Sequence, residues 1–184
     1  MESIVKVAGS RILVLPGMEV QTKEEVHLLC YFKSLDKLLG FGQFINSKLP
    51  NTANVPEIFG NQFILDEEDH IIGEKKQMLI SSVDLSIDQV VDEVRNMEGV
   101  VVPAHIDRSS YSVISQLGFI PKNLESGMLE VSNRNTEFST RYTQDKILYS
   151  SDAHNLWQIL ERESFLCVDN LSLLDVLHTL GHNR

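Results

Sequence analysis

Cysteine, tryptophan and basic residues are all scarce in this chain. Two cysteines among 184 residues, Cys30 and Cys167, are far too few for a disulfide scaffold. Both lie in apolar stretches, so the expectation is two buried, reduced thiols in a cytoplasmic protein. No apolar run approaches the ~20 residues that span a bilayer. The first eight residues, MESIVKVA, lack the charged-then-apolar layout of a secretory signal. Lys and Arg number 16 against 26 Asp and Glu, a net charge of −10. Lys75-Lys76 is the only basic doublet, and it follows the acidic residues 66–69. Autonomous nucleic-acid binding is therefore not expected, and neither is a membrane partner. A phosphate-cradling glycine loop, a nucleophile elbow and zinc-finger spacing are missing as well.

What remains is the balance of a folded domain, with 42% hydrophobic and 23% charged residues. No linker, repeat or low-complexity tract divides it, so residues 1–184 read as one domain. Short β-branched runs alternate with amphipathic stretches, which predicts an α/β fold with a mainly parallel sheet. Strands are expected over residues 11–16, 25–32, 100–105, 128–131, 147–150 and 165–168. Residues 63–65 and 70–72 flank the acidic run as a hairpin. Helices are expected over 34–49 behind a Ser34 cap, over 87–97 behind Ser86 and stopped by Gly99, and over 172–180 before Gly181. A helical turn is expected over 111–117 and a polar segment over 133–144.

Ligand-type side chains gather at the strand ends of this reading. Glu19 follows the first strand, His27 lies in the second, His105 ends the next, and Asp152 and His154 close a later one. Carboxylate plus imidazole suits zinc, manganese or iron. Singly, His27 and His105 also read as hydrogen-bonded core histidines and Asp152 as a helix cap. Five such residues at successive strand ends point to a metal centre. Arg108, three residues after His105, reads either as a phosphate fork or as a surface arginine paired with Asp107. His70 sits in the acidic turn and is expected in solvent. His178 and His182 share a helical spacing but have no third ligand. Trp157 reads equally as core or as pocket wall.

Four motifs in order, Gly17-Met-Glu19, His27, Pro103-Ala-His105 and Ser151-Asp-Ala-His154, resemble the polymerase and histidinol phosphatase (PHP) family. The resemblance runs through essentially the whole chain. It implies a distorted (β/α)7 barrel with up to three metal ions at its carboxyl end, and phosphoester hydrolysis by a metal-activated water. Family members open with a His-x-His strand. This sequence has no His-x-His, so the resemblance implies a barrel lacking its N-terminal strands. It further implies one complete metal site, Glu19 with His27 and His105. A second site keeps Glu19 and Asp152, and a third keeps His154 alone. Glu19, Asp152 and Arg108 are the catalytic candidates.

The function so implied is a metal-dependent phosphoric ester hydrolase acting on a small phosphorylated metabolite or nucleotide. Two alternatives accompany it. One is an impaired remnant that binds metal or a partner, its open barrel edge covered by a second copy or another chain. The other is a polymerase-associated proofreading nuclease.

Overall fold

A computed structural model describes residues 1–125, 127–132, 147–159 and 164–181. The expected polar segment 133–144 and His182 lie outside the described residues. The elements are α1 (Glu2–Ala8), β1 (Gly17–Gln21), β2 (His27–Tyr31), α2 (Leu35–Lys48), α3 (Pro56–Phe59), β3 (Phe63–Leu65) and β4 (Ile71–Glu74). They continue with α4 (Ile87–Asn96), β5 (Val100–Pro103), α5 (Val113–Leu117), β6 (Leu129–Val131), β7 (Ile147–Tyr149) and α6 (Leu173–Gly181).

The fold is mixed α/β, and among the described residues its strands do not close into a barrel. They form a sheet ordered β1-β2-β5, a β3-β4 hairpin and a β6-β7 pair. The expectation of a mainly parallel sheet is corrected here, because among the described strands only β6-β7 is parallel. For β1-β2 the reason is loop length. Residues 22–26 are too few for a crossover, so β2 must fold straight back on β1 as a hairpin. Thr22 and Val26 close that turn with an N–H···O bond of 2.9 Å, and Glu25 takes the left-handed conformation at φ 60°.

Two predicted strands are absent among the described residues. Residues 11–16 form no ladder, and Ile12 is 67% exposed; pairing starts only at Gly17, opposite Tyr31. Residues 165–168 pair with nothing among the described residues, and Phe165 is 84% exposed. A short apolar run marks a strand only when a neighbouring edge is available to complete its hydrogen bonds. Cys30 is buried, but Cys167 is exposed, because it belongs to that unpaired stretch. Trp157 is exposed too, so it is not a core residue.

The three-stranded sheet buries both faces. Leu28 and Cys30 point to the larger core with Phe32, Leu38, Phe41, Val90, Val91 and Val94. Leu29 and Tyr31 point the other way, toward Val102, Met128 and Leu180. Helix α4 explains the first face. Ile87, Val90, Val91 and Val94 recur at helical spacing and are all buried, each worth about 1.5–3 kcal/mol relative to exposure. Ser86 accepts from the Gln89 N–H while the Gln89 side chain accepts from the Ser86 N–H, a reciprocal cap. Ser86→Ala should cost about 1 kcal/mol in a urea titration. No loss would mean that the cap does not hold α4.

The turn after α4 shows why Gly99 is there. The left-handed residue is Glu98, at φ 60°, not the glycine. A Cβ at position 99 would lie 2.7 Å from the Tyr31 carbonyl oxygen and 2.8 Å from Val94 Cγ1. Gly99 is required for close approach rather than for its backbone angles. Among the described residues no helix is long and apolar enough to cross a membrane.

Candidate metal centre

The β1-β2 hairpin builds half of the centre. Its register sets Glu19 opposite Leu29 and Gln21 opposite His27. Opposite residues share a face, and so do residues two apart, which places Glu19, Gln21 and His27 side by side. Glu19 therefore lies within β1 rather than after the first strand, because the strand starts six residues later than its apolar run suggests. β5 supplies the other half. It pairs with β2 through Leu28 opposite Pro103, and the Ala104 N–H donates to the His27 carbonyl at 3.1 Å. His105 follows and turns in beside His27.

The three side chains converge. Glu19, His27 and His105 offer ligand atoms that all lie within 4.8 Å of one another, and this cluster could hold a metal ion. His27 Nδ1 is 2.9 Å from Glu19 Oε1 and 3.1 Å from His105 Nε2. His105 Nε2 is 3.5 Å from the same Glu19 oxygen. On its far side, His27 Nε2 lies 3.1 Å from Gln21 Oε1. The Gln21 carbonyl oxygen only accepts, so Nε2 is the donor on that side, and Nδ1 is the atom that faces the Glu19 carboxylate. Two electron-rich atoms at that distance need a cation between them, a proton or a metal. Two imidazoles and one carboxylate also form a known catalytic ligand set that leaves a coordination position open. The residues present fit a divalent ion.

Electrostatics agree with the geometry. Burial would raise the Glu19 pKa, but hydrogen bonds and charge from His105 and His27 outweigh it and hold the carboxyl at about 2. Burial opposes protonation of His105, yet the bond to Glu19 wins and its pKa is raised. The two shifts set opposite limits on stability. Glu19 contributes above its ordinary 4.5 and loses that contribution as pH falls to about 2. His105 contributes fully below its ordinary 6.5 and loses it as pH rises through its higher folded value. In the metal-free chain, Glu19→Gln should therefore cost most stability between about pH 4.5 and 6.5, and less on either side. Urea midpoints of both proteins, measured within that range and on both sides of it, test this. A cost that does not change with pH would refute the pairing.

Asp152, His154 and Arg108 form a neighbouring group outside that cluster of three. Arg108 Nη1 is 2.6 Å from Asp152 Oδ2, and His154 Nε2 is 3.4 Å from Asp152 Oδ1. Arg108 thus pairs with Asp152, whereas Asp107 accepts from the Ser132 N–H at 2.9 Å. Asp152 and Arg108 both act electrostatically on His105, so the two groups are adjacent. His70 is exposed beside Asp66.

Three contributors escaped the sequence reading. Gln21 shares Glu19's face by simple alternation, which was visible. Tyr111 stacks on His27 with ring centres 5.0 Å apart and planes 15° apart, and its carbonyl accepts from the His27 N–H at 2.9 Å. Glu130, buried in β6, accepts from the His105 N–H at 2.9 Å and from the Ser150 hydroxyl. An acidic residue inside an apolar strand was the available signal. Six described non-glycine residues have positive φ, and three of them are His105, Tyr111 and Asp152. Such backbone costs on the order of 1–3 kcal/mol per residue and clusters where function requires it.

Among known proteins, no protein-family model and no curated sequence matches the chain. A solved structure does: the crystal structure of the novel lesion-specific endonuclease PfuEndoQ from Pyrococcus furiosus. It is 14% identical, with a TM-score of 0.60, over 90% of this chain and 38% of that one. The likeness is one of fold, and the chain spans well under half the length of that endonuclease.

Proposed function

We propose that the chain is a metal-dependent phosphoesterase of the PHP type, an opened form of that barrel, acting on the phosphate ester of a small metabolite or nucleotide. The observation that carries the reading is the convergence of Glu19, His27 and His105 within 4.8 Å. The order of the four motifs and the fold likeness to an endonuclease support it.

Glu19, His27 and His105 would hold the ion. When bound, zinc, manganese or iron supplies Lewis acidity toward a phosphoryl oxygen and brings the pKa of water toward ~7. With its pKa held at about 2, Glu19 is ionised at neutral pH and brings the negative charge that a cation needs. Gln21 and Tyr111 fix the orientation of the His27 ring. Asp152 holds the Arg108 guanidinium through one nitrogen, leaving its other N–H groups to fork onto phosphate oxygens. Exposed His154, against Asp152, remains a candidate ligand or proton carrier at the rim.

A second reading, cleavage of a polynucleotide phosphodiester, is favoured by the likeness to the endonuclease. The net charge of −10 weighs against it. The test is hydrolysis of p-nitrophenyl phosphate and of an end-labelled oligonucleotide, each with added Mn2+, Zn2+ or Fe2+. Metal-dependent turnover of the monoester is expected. Turnover of the oligonucleotide alone would favour the second reading. Bound metal with no hydrolysis of either would leave a metal-binding domain and refute the enzyme.

A further inference from the structure

We propose that Glu130 is the positioning residue of this centre. On its two carboxylate oxygens it holds the backbone that presents His105 and the loop that carries Asp152. The inference rests on the metal-centre reading above. Glu130 sits in β6 between Leu129 and Val131, all three buried. One oxygen accepts from the His105 N–H at 2.9 Å, and the other accepts from the Ser150 hydroxyl just after β7. Its own carbonyl accepts from the Ile106 N–H at 2.9 Å. Two residues on, Ser132 donates to Asp107 through both its N–H and its hydroxyl. The loop after β5 is thus tied to β6 at three successive residues, and the loop after β7 is tied at Ser150.

Those two loops carry His105 at φ 29° and Asp152 at φ 47°. Backbone of that kind persists only where its surroundings over-determine it. A buried carboxylate is costly, and an apolar side chain could fill the same space without that cost. An apolar side chain could hold neither loop. Glu130 makes no bond to a ring nitrogen of the cluster; it acts through the backbone of one ligand and the neighbour of another group. Asp152 in turn orients Arg108, so one carboxylate links the candidate ion site to the candidate phosphate fork.

The test uses the full chain with Glu130→Ala, Glu130→Gln and Ser150→Ala. Amide hydrogen exchange is read without metal, and Co2+ affinity is read from visible absorption. Glu130→Ala should speed exchange about tenfold or more at the hydrogen-bonded amides of residues 105, 106, 108 and 150 while α2 and α4 stay protected. Its Co2+ affinity should fall about 10–100-fold, the usual loss when an outer-shell partner is removed. Glu130→Gln can accept from His105 and donate to Ser150, and should stay within about threefold of the wild type in both readouts. Ser150→Ala should speed exchange at the amide of position 150, which donates to the Val131 carbonyl, and not at 105, 106 or 108. Unchanged exchange in Glu130→Ala, or equally faster exchange in α2 and α4, would overturn the proposal. If Glu130→Ala does not fold, Ser150→Ala decides: unchanged protection of the amide at position 150 overturns it, and a loss confined there supports it. A wild-type chain that takes up no Co2+ would sink the metal-centre reading, while the exchange pattern would still judge Glu130.

Discussion

His105→Ala should abolish metal-dependent hydrolysis and lower metal affinity by more than about 100-fold, beyond the 10–100-fold range of outer-shell losses. His105 is only 2% exposed, and its Nε2 faces both other members of the cluster. Alanine removes one of three donors and leaves His27 and Glu19 as a pair. The carboxyl of Glu19 should also move up toward its ordinary value, since hydrogen bonding and charge from His105 help hold it near 2. That shift can be followed by NMR titration of the metal-free protein, independently of activity. His70→Ala is the control, because its side chain is 69% exposed and lies outside the cluster of three. It should keep the ion. Hydrolysis that survives in His105→Ala would mean that the chemistry lies elsewhere.

Phe41→Ala should destabilise the chain by about 3–5 kcal/mol, the cost of emptying a fully buried aromatic site. Phe41 sits mid-way along α2 with no exposure, its ring centre 5.0 Å from that of Phe32 and 6.3 Å from that of Phe44. Phe32 follows β2 and Phe44 lies one turn further along α2, so the ring locks helix to sheet. The metal centre occupies the opposite face of β1 and β2. The loss should therefore appear as a lower urea midpoint with an unchanged slope, while the folded fraction still binds metal. A loss below about 1 kcal/mol would mean that α2 is not anchored through this ring.

The helices were legible because their signals are local. The Ser34 and Ser86 caps and the apolar stripe of α4 fall where they were expected. Even Gly40 and Gly42 do not break α2; the methyl of Met18 lies 3.3 Å from where a Cβ on Gly42 would stand. The sheet was less legible, because strand direction depends on partners. Alternating strands and helices suggested crossovers, but residues 22–26 are too short for one. The runs at 11–16 and 165–168 are as apolar as real strands but form no ladder among the described residues.

The centre divides in the same way. Glu19, His27 and His105 were nameable from residue type and order, and the hairpin register explains their meeting. Asp152 and Arg108 were each named without their pairing, since the ion pair joins loops 44 residues apart in sequence (152 − 108). Glu130 was marked only by being acidic within an apolar strand; its partners, the His105 N–H and the Ser150 hydroxyl, lie 25 and 20 residues away in sequence.

The central claim is that Glu19, His27 and His105 form one metal site, and elemental analysis of the purified full chain beside His27→Ala tests it most directly. The account predicts about one tightly held ion per wild-type chain, after reconstitution if necessary, and none in the variant. No metal in the wild type, or equal metal in both proteins, would contradict it.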